Sequence, residues 1–182
     1  MKSLLQCGAI AIFVASMFTS CVVAKIEANK SEQFNDKLNS VFIAVEGEPF
    51  YGEFINNLIK EMQKELKTKG MKVEVNLYDH LSLESEEGFN TKVDAFNPDA
   101  VLLIKENTAY VQAINSPYIL ILSEASAELN RRYLYDFYLT NRSDNKIIWR
   151  AKLNSTFPYG LQETAKEAAL RLIKQMEQNG LI

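Results

Sequence analysis

The chain has 182 residues, 47% of them hydrophobic and 24% charged, enough for one domain with a sizeable core. Its formal net charge of −3 excludes the basic footprint of a nucleic-acid binder and argues against tight electrostatic attachment to anionic lipid headgroups. A single histidine, His80, rules out any His-pair metal site, and there is no G-x-G-x-x-G, P-loop or G-x-S-x-G.

After one early cation, Lys2, an apolar run from Leu4 to Phe18 leads into Thr19-Ser20-Cys21. A short basic start, an apolar stretch and small residues are the layout of a secretory signal peptide. The run is roughly 15 residues, short of the ~20 that a membrane-spanning helix needs. Gly8 and Ser16 also interrupt it. With a cysteine at the cleavage point, the stretch resembles the lipobox of bacterial lipoproteins, although Phe18 stands where that pattern usually has Leu. A plain secretory signal cut near Ala15 or Ala24 is the alternative.

The lipobox resemblance implies removal of residues 1–20 and acylation of Cys21 by diacylglycerol and an N-acyl chain, palmitate among them. Val22, rather than Asp, follows the cysteine. By the sorting rule of enteric bacteria this implies the periplasmic face of the outer membrane. One acyl chain holds a protein only marginally, at ~0.8 kcal/mol per buried CH₂, whereas three anchor it stably. Cys7 lies in the discarded segment and Cys21 carries lipid, so the mature chain has no free thiol and no disulfide. Zinc–thiolate sites, cysteine nucleophiles and redox pairs are thereby excluded.

Residues 21–39 are polar and read as a tether of about 18 residues, spanning roughly 20–25 Å. The domain proper is residues 40–182. It opens with the apolar run Val41–Val45, a central strand. A helix follows from Phe50 to Thr68, with Phe54, Ile55, Leu58, Ile59, Met62 and Leu66 at helical spacing and Gly70 as its stop. Val73, Val75 and Leu77 alternate with polar residues as a second strand, and Glu86–Phe96 is a short helix with Phe89 and Val93 inward. Ala100–Ile104 is a further strand, followed by strands at Ala109–Ile114 and Tyr118–Ser123. A hairpin joins Arg132–Thr140 to Lys146–Ser155, with Tyr133, Tyr135 and Phe137 on one face and Ile147, Trp149, Ala151 and Leu153 on one face of its partner. Pro158–Asn179 closes the chain as a helix.

This pattern is an α+β single domain: a mixed, mostly antiparallel sheet with two main helices packed on it. Val41–Val45, Leu58–Gly70, Val73–Leu77, Asp99–Ile104 and Tyr133–Arg150 resemble the TolB amino-terminal-like class of small periplasmic domains. That resemblance implies scaffolding or binding of envelope components rather than catalysis.

Candidate chemistry is sparse. A Ser-His-Asp triad would need His80, which sits beside Asp79 at a strand end and reads first as a surface turn. Glu84, Glu86 and Glu87 form an acidic loop with Asp79, without the ordered oxygen ligands of a calcium loop. No metal site, cofactor or catalytic residue is expected beyond the lipid on Cys21. For the aromatic band, Tyr133, Tyr135 and Phe137 read as core, while Tyr138 points the other way and is the exposed candidate. Tyr51 and Tyr159, each at a helix start, are the other candidate binding residues. The expected function is a lipid-anchored, non-catalytic interaction or assembly domain whose partner is an envelope protein or another copy of itself. A glycan- or small-ligand-binding lipoprotein is the alternative.

Overall fold

The computed structural model describes residues 24–49, 51–107, 133–156 and 160–182. Among them are six strands and three helices: β1 (Ala24–Lys30), β2 (Ser40–Glu46), α1 (Gly52–Thr68), β3 (Lys72–Val75), α2 (Glu86–Phe96), β4 (Ala100–Glu106), β5 (Tyr133–Asn141), β6 (Ile147–Ser155) and α3 (Leu161–Gln178). The strands form one mixed sheet in the order β1-β6-β5-β4-β2-β3. β2 runs parallel to β3 and β4, and the other pairings are antiparallel. The α+β fold read from the sequence is therefore the fold observed.

Handedness decides where the helices go. A crossover between parallel strands is right-handed in nearly all proteins. The step from β2 to β3 moves outward to the sheet edge, and the step from β3 to β4 returns past β2. Right-handedness in both steps puts α1 and α2 on opposite faces. α1 and α3 share the first face and pack side by side on the main core. α2 covers only Phe42, Ala44 and their neighbours on the second face, through Val93, Phe89 and Phe96. This is why the β2 sequence is apolar at consecutive positions: Val41 and Ile43 face one layer and Phe42 and Ala44 the other.

The stripe on α1 is buried as its spacing requires, from Phe54 to Leu66. Glu53 in its first turn and Lys67 in its last complement the helix dipole. Gly70 ends the helix at φ 82°, a conformation glycine adopts without strain. Tyr135 and Phe137 are fully buried, and Tyr135 stacks on Phe54 with ring centroids 5.3 Å apart.

Three sequence readings need correction. First, residues 24–39 are not a tether. Ala24–Lys30 is an edge strand, paired residue for residue with β6 from Ala24↔Ser155 to Lys30↔Trp149. Ala24 is fully buried, and Phe34 and Leu38 also join the core. Second, Ile147 does not lie on the core face. A register shift at Leu139/Thr140 inserts Ile148, which is buried, and leaves Ile147 41% exposed. Third, the strand after α1 stops at Val75, before Leu77. The segment read as a signal, with Cys21, the strands expected at 109–114 and 118–123, and Tyr159 lie outside the described residues.

Asp99 shows how two parallel strands are set in register. Its carboxylate accepts from the backbone N–H of Asn39 (2.7 Å) and Ser40 (2.9 Å), while Ser40 Oγ accepts from the Asp99 N–H. Replacing Asp99 with Ala leaves two donors at the start of β2 to water or to nothing. The expected loss is about 1–2 kcal/mol, read as a lowered urea midpoint with unchanged slope.

Candidate functional site

The second face of the sheet is the region where polar side chains converge. Over β5, β6 and β1 no described helix covers it. The registers of four pairings, from β2 to β1, line up its side chains into rows. One row crosses five strands as Glu46, Lys105, Asp136, Lys152 and Glu27, each the cross-strand partner of the next. Charge alternates at every step. Directly opposed opposite charges on a sheet each contribute roughly 0.2–1 kcal/mol. Lys105 Nζ lies 2.9 Å from a Glu46 carboxylate oxygen, and this hydrogen bond raises the Lys105 pKa above its ordinary value. Asn107 donates to Asp136 at 3.0 Å.

The neighbouring row is Leu103, Tyr138, Arg150 and Asn29. The Arg150 guanidinium carbon sits 5.2 Å from the centroid of the Tyr138 ring, a cation–π contact. Tyr138 is half-buried, with Leu103 on its other side. Together Glu46, Leu103, Lys105, Asp136, Tyr138 and Thr140 line a shallow, open depression of about 580 Å³. Its lining can stack, accept and donate hydrogen bonds, and is acidic, with Glu46, Glu106 and Asp136 against Lys105.

Of the residues singled out in the sequence, Tyr138 is at the centre of this face. Tyr51 is not: it stands at the start of α1, partly buried against the main core on the opposite side of the sheet. The two tyrosines therefore share no site. His80 lies in an exposed turn, where Asp79 Oδ1 accepts from the Leu81 N–H at 2.9 Å and so serves the turn itself. The acidic loop is partly neutralised within itself. Lys92 pairs with Glu84 at 2.6 Å, and that hydrogen bond lowers the Glu84 pKa. Among the described residues, no group of three or more His, Cys, Asp and Glu is placed to hold a metal ion.

Ser143-Asp144-Asn145-Lys146 has S-x-x-K spacing, but it forms the β5–β6 turn. There Ser143 Oγ accepts from Asn141 and Lys146 pairs with Asp144. Arg150 and the charged row are what sequence reading missed. Each residue alternates correctly on its own strand, but only the register shows that they meet.

The class these features define is a single-domain α+β protein whose described residues form a six-stranded mixed sheet with helices on both faces and one polar face that they leave partly uncovered. No protein-family model matches the chain, and no curated protein matches its sequence. Among solved structures it is similar to the PelC dodecamer from Paraburkholderia phytofirmans. The identity is 11% and the TM-score 0.48, over 82% of this chain and 94% of that one. It is also similar to a PDZ domain protein from Parabacteroides distasonis, with 17% identity and a TM-score of 0.40. That match takes in 85% of this chain but only 36% of the other.

Proposed function

We propose that this protein is an envelope lipoprotein, anchored through acylated Cys21, whose domain is a non-catalytic interaction or assembly module. Its site of action in this reading is the periplasmic face of the outer membrane. The lipobox-like stretch ending at Cys21 supports the anchor. The observation that carries the interaction reading is the sheet face that the described residues leave uncovered. Tyr138, held under Arg150, offers a rigid aromatic area at low entropic cost, and the charge-alternating row beside it supplies directional contacts. The partner is another envelope protein or a second copy of the chain.

The test is in-cell crosslinking followed by affinity purification of three forms: native, Cys21→Ala, and Tyr138→Ala/Arg150→Glu. One partner captured by the native form and lost with both variants supports the reading. Equal capture by the face variant moves the contact elsewhere on the molecule.

A glycan or small polar ligand is the second reading. The depression at Tyr138, Asp136, Asn107 and Lys105 favours it, since an aromatic surface ringed by hydrogen-bonding groups suits a sugar. Saturable binding in a glycan screen, abolished by Tyr138→Ala, would support it over the protein-partner reading.

A further inference from the structure

We infer that the loop between β3 and α2 enters a lipid bilayer beside the acyl anchor, with Leu81 and Leu83 in the boundary between headgroups and acyl chains. This deepens the anchor reading and rests on it.

Three observations meet at one end of the sheet. The antiparallel steps from β4 through β5 and β6 bring the first residue of β1, Ala24, to the end toward which β3 runs; β3 itself stops at Val75, in the cross-strand row of Lys30, and the loop that leaves it continues toward that end, where Tyr78 lies against Gly52 at the start of α1. Because β1 begins at Ala24, only three residue steps separate the sheet from Cys21, a reach of about 10 Å. An acylated Cys21 therefore holds this end of the domain against the membrane. The loop leaving β3 then carries the two most exposed large apolar side chains among the described residues, Leu83 at 100% and Leu81 at 74%.

The loop is built to hold them out. Its base is closed by Asn76 and Glu84, 3.3 Å apart, with Lys92 on the other side of Glu84. Tyr78 is clamped on α1: its N–H and C=O pair with the Asn56 side chain, and its ring lies against Gly52, where any Cβ would come within 2.8 Å. The Asp79 turn then directs the chain through Leu81.

β1 and β3 are opposite edges of the sheet, about 24 Å apart at ~4.8 Å per strand. β3 stops six residues short of the level of Ala24, roughly 20 Å at ~3.3 Å per residue, so loop and anchor reach one plane when the sheet leans toward its β3 edge. Anchor and loop then make two separated contacts and fix the orientation of the uncovered face, lateral to the membrane. Asp79, Glu86 and Glu87 flank the leucines, so the fitting surface is a zwitterionic one.

The test uses the full acylated protein in phosphatidylcholine vesicles containing nitroxide-labelled lipid. An environment-sensitive fluorophore is placed on Ser82→Cys or, as a control, on Ser143→Cys in the turn at the far end of the sheet. The expected result is loss of most of the fluorescence at position 82 and none at 143, with the loss at 82 abolished by Leu81→Asp/Leu83→Asp while the protein still floats with the vesicles. Flotation with equally unquenched labels at both positions overturns the loop proposal alone. Failure to float, with no acyl mass on Cys21, overturns the anchor reading and this proposal together.

Discussion

A soluble domain started at Ser31 is expected to be about 3–5 kcal/mol less stable than one started at Val22. Seven residues of β1 pair with β6, and removing them leaves the outer edge of β6 without a ladder partner. Each net hydrogen bond contributes roughly 0.5–1.5 kcal/mol. The truncation also uncovers the core beside Ala151 and Leu153, where Ala24, Ile26 and Ala28 pack. Urea denaturation followed by tryptophan fluorescence measures the loss directly, since the chain has one tryptophan and it lies opposite Lys30. A flexible tether at 21–39 predicts no change. The exposed β6 edge should further promote aggregation, because an unpaired apolar strand edge is a template for another chain.

Replacing Trp149 with Ala is expected to cost about 3–5 kcal/mol, enough to unfold a marginal domain. Trp149 is among the largest fully buried side chains, in the layer between β6 and α3. Its indole N–H donates to Asn179 Oδ1 at 2.8 Å, and Asn179 is the residue that caps the end of α3. The same residue thus fills volume and locks the closing helix onto the sheet. Trp149→Phe keeps much of the volume and loses the hydrogen bond, so it should fall near 1–2 kcal/mol, close to Asn179→Ala. Thermal melts followed by far-UV circular dichroism separate the three variants. Equal, small effects for all three would remove Trp149 from its central place in the core.

The long periodic elements were legible from sequence. α1 and α3 carry apolar stripes followed by a stop glycine, and β2 and β4 are uninterrupted apolar runs between turns. β1 was not legible as a strand, and the reason is physical. Its inward positions are Ala24, Ile26 and Ala28, two of them too small to stand out against Lys25, Glu27 and Asn29. Edge strands are often polar for this reason, since half their surface is wet. Alternation along β6 puts Ile147 in phase with Trp149, but the irregularity opposite Leu139/Thr140 adds one residue, which reverses every side chain beyond it.

Tyr138 was legible as outward-facing because it breaks phase with Tyr135 and Phe137. The row from Glu46 to Glu27 was not, because each member belongs to a different strand and pairing register is a property of the whole sheet. The placement of α2 on the second face is likewise topological. Among the described residues it leaves β5, β6 and β1 uncovered there, and this creates the candidate surface.

The measurement that bears most directly on the proposed role is site-specific photocrosslinking in cells. A photoreactive residue replaces Tyr138 on the uncovered face, and in a second strain it replaces Lys64 on the exposed side of α1. The interaction reading predicts a discrete adduct from position 138 that disappears in the Cys21→Ala background, with none from position 64. No adduct at 138, or the same adducts from both positions, would contradict it.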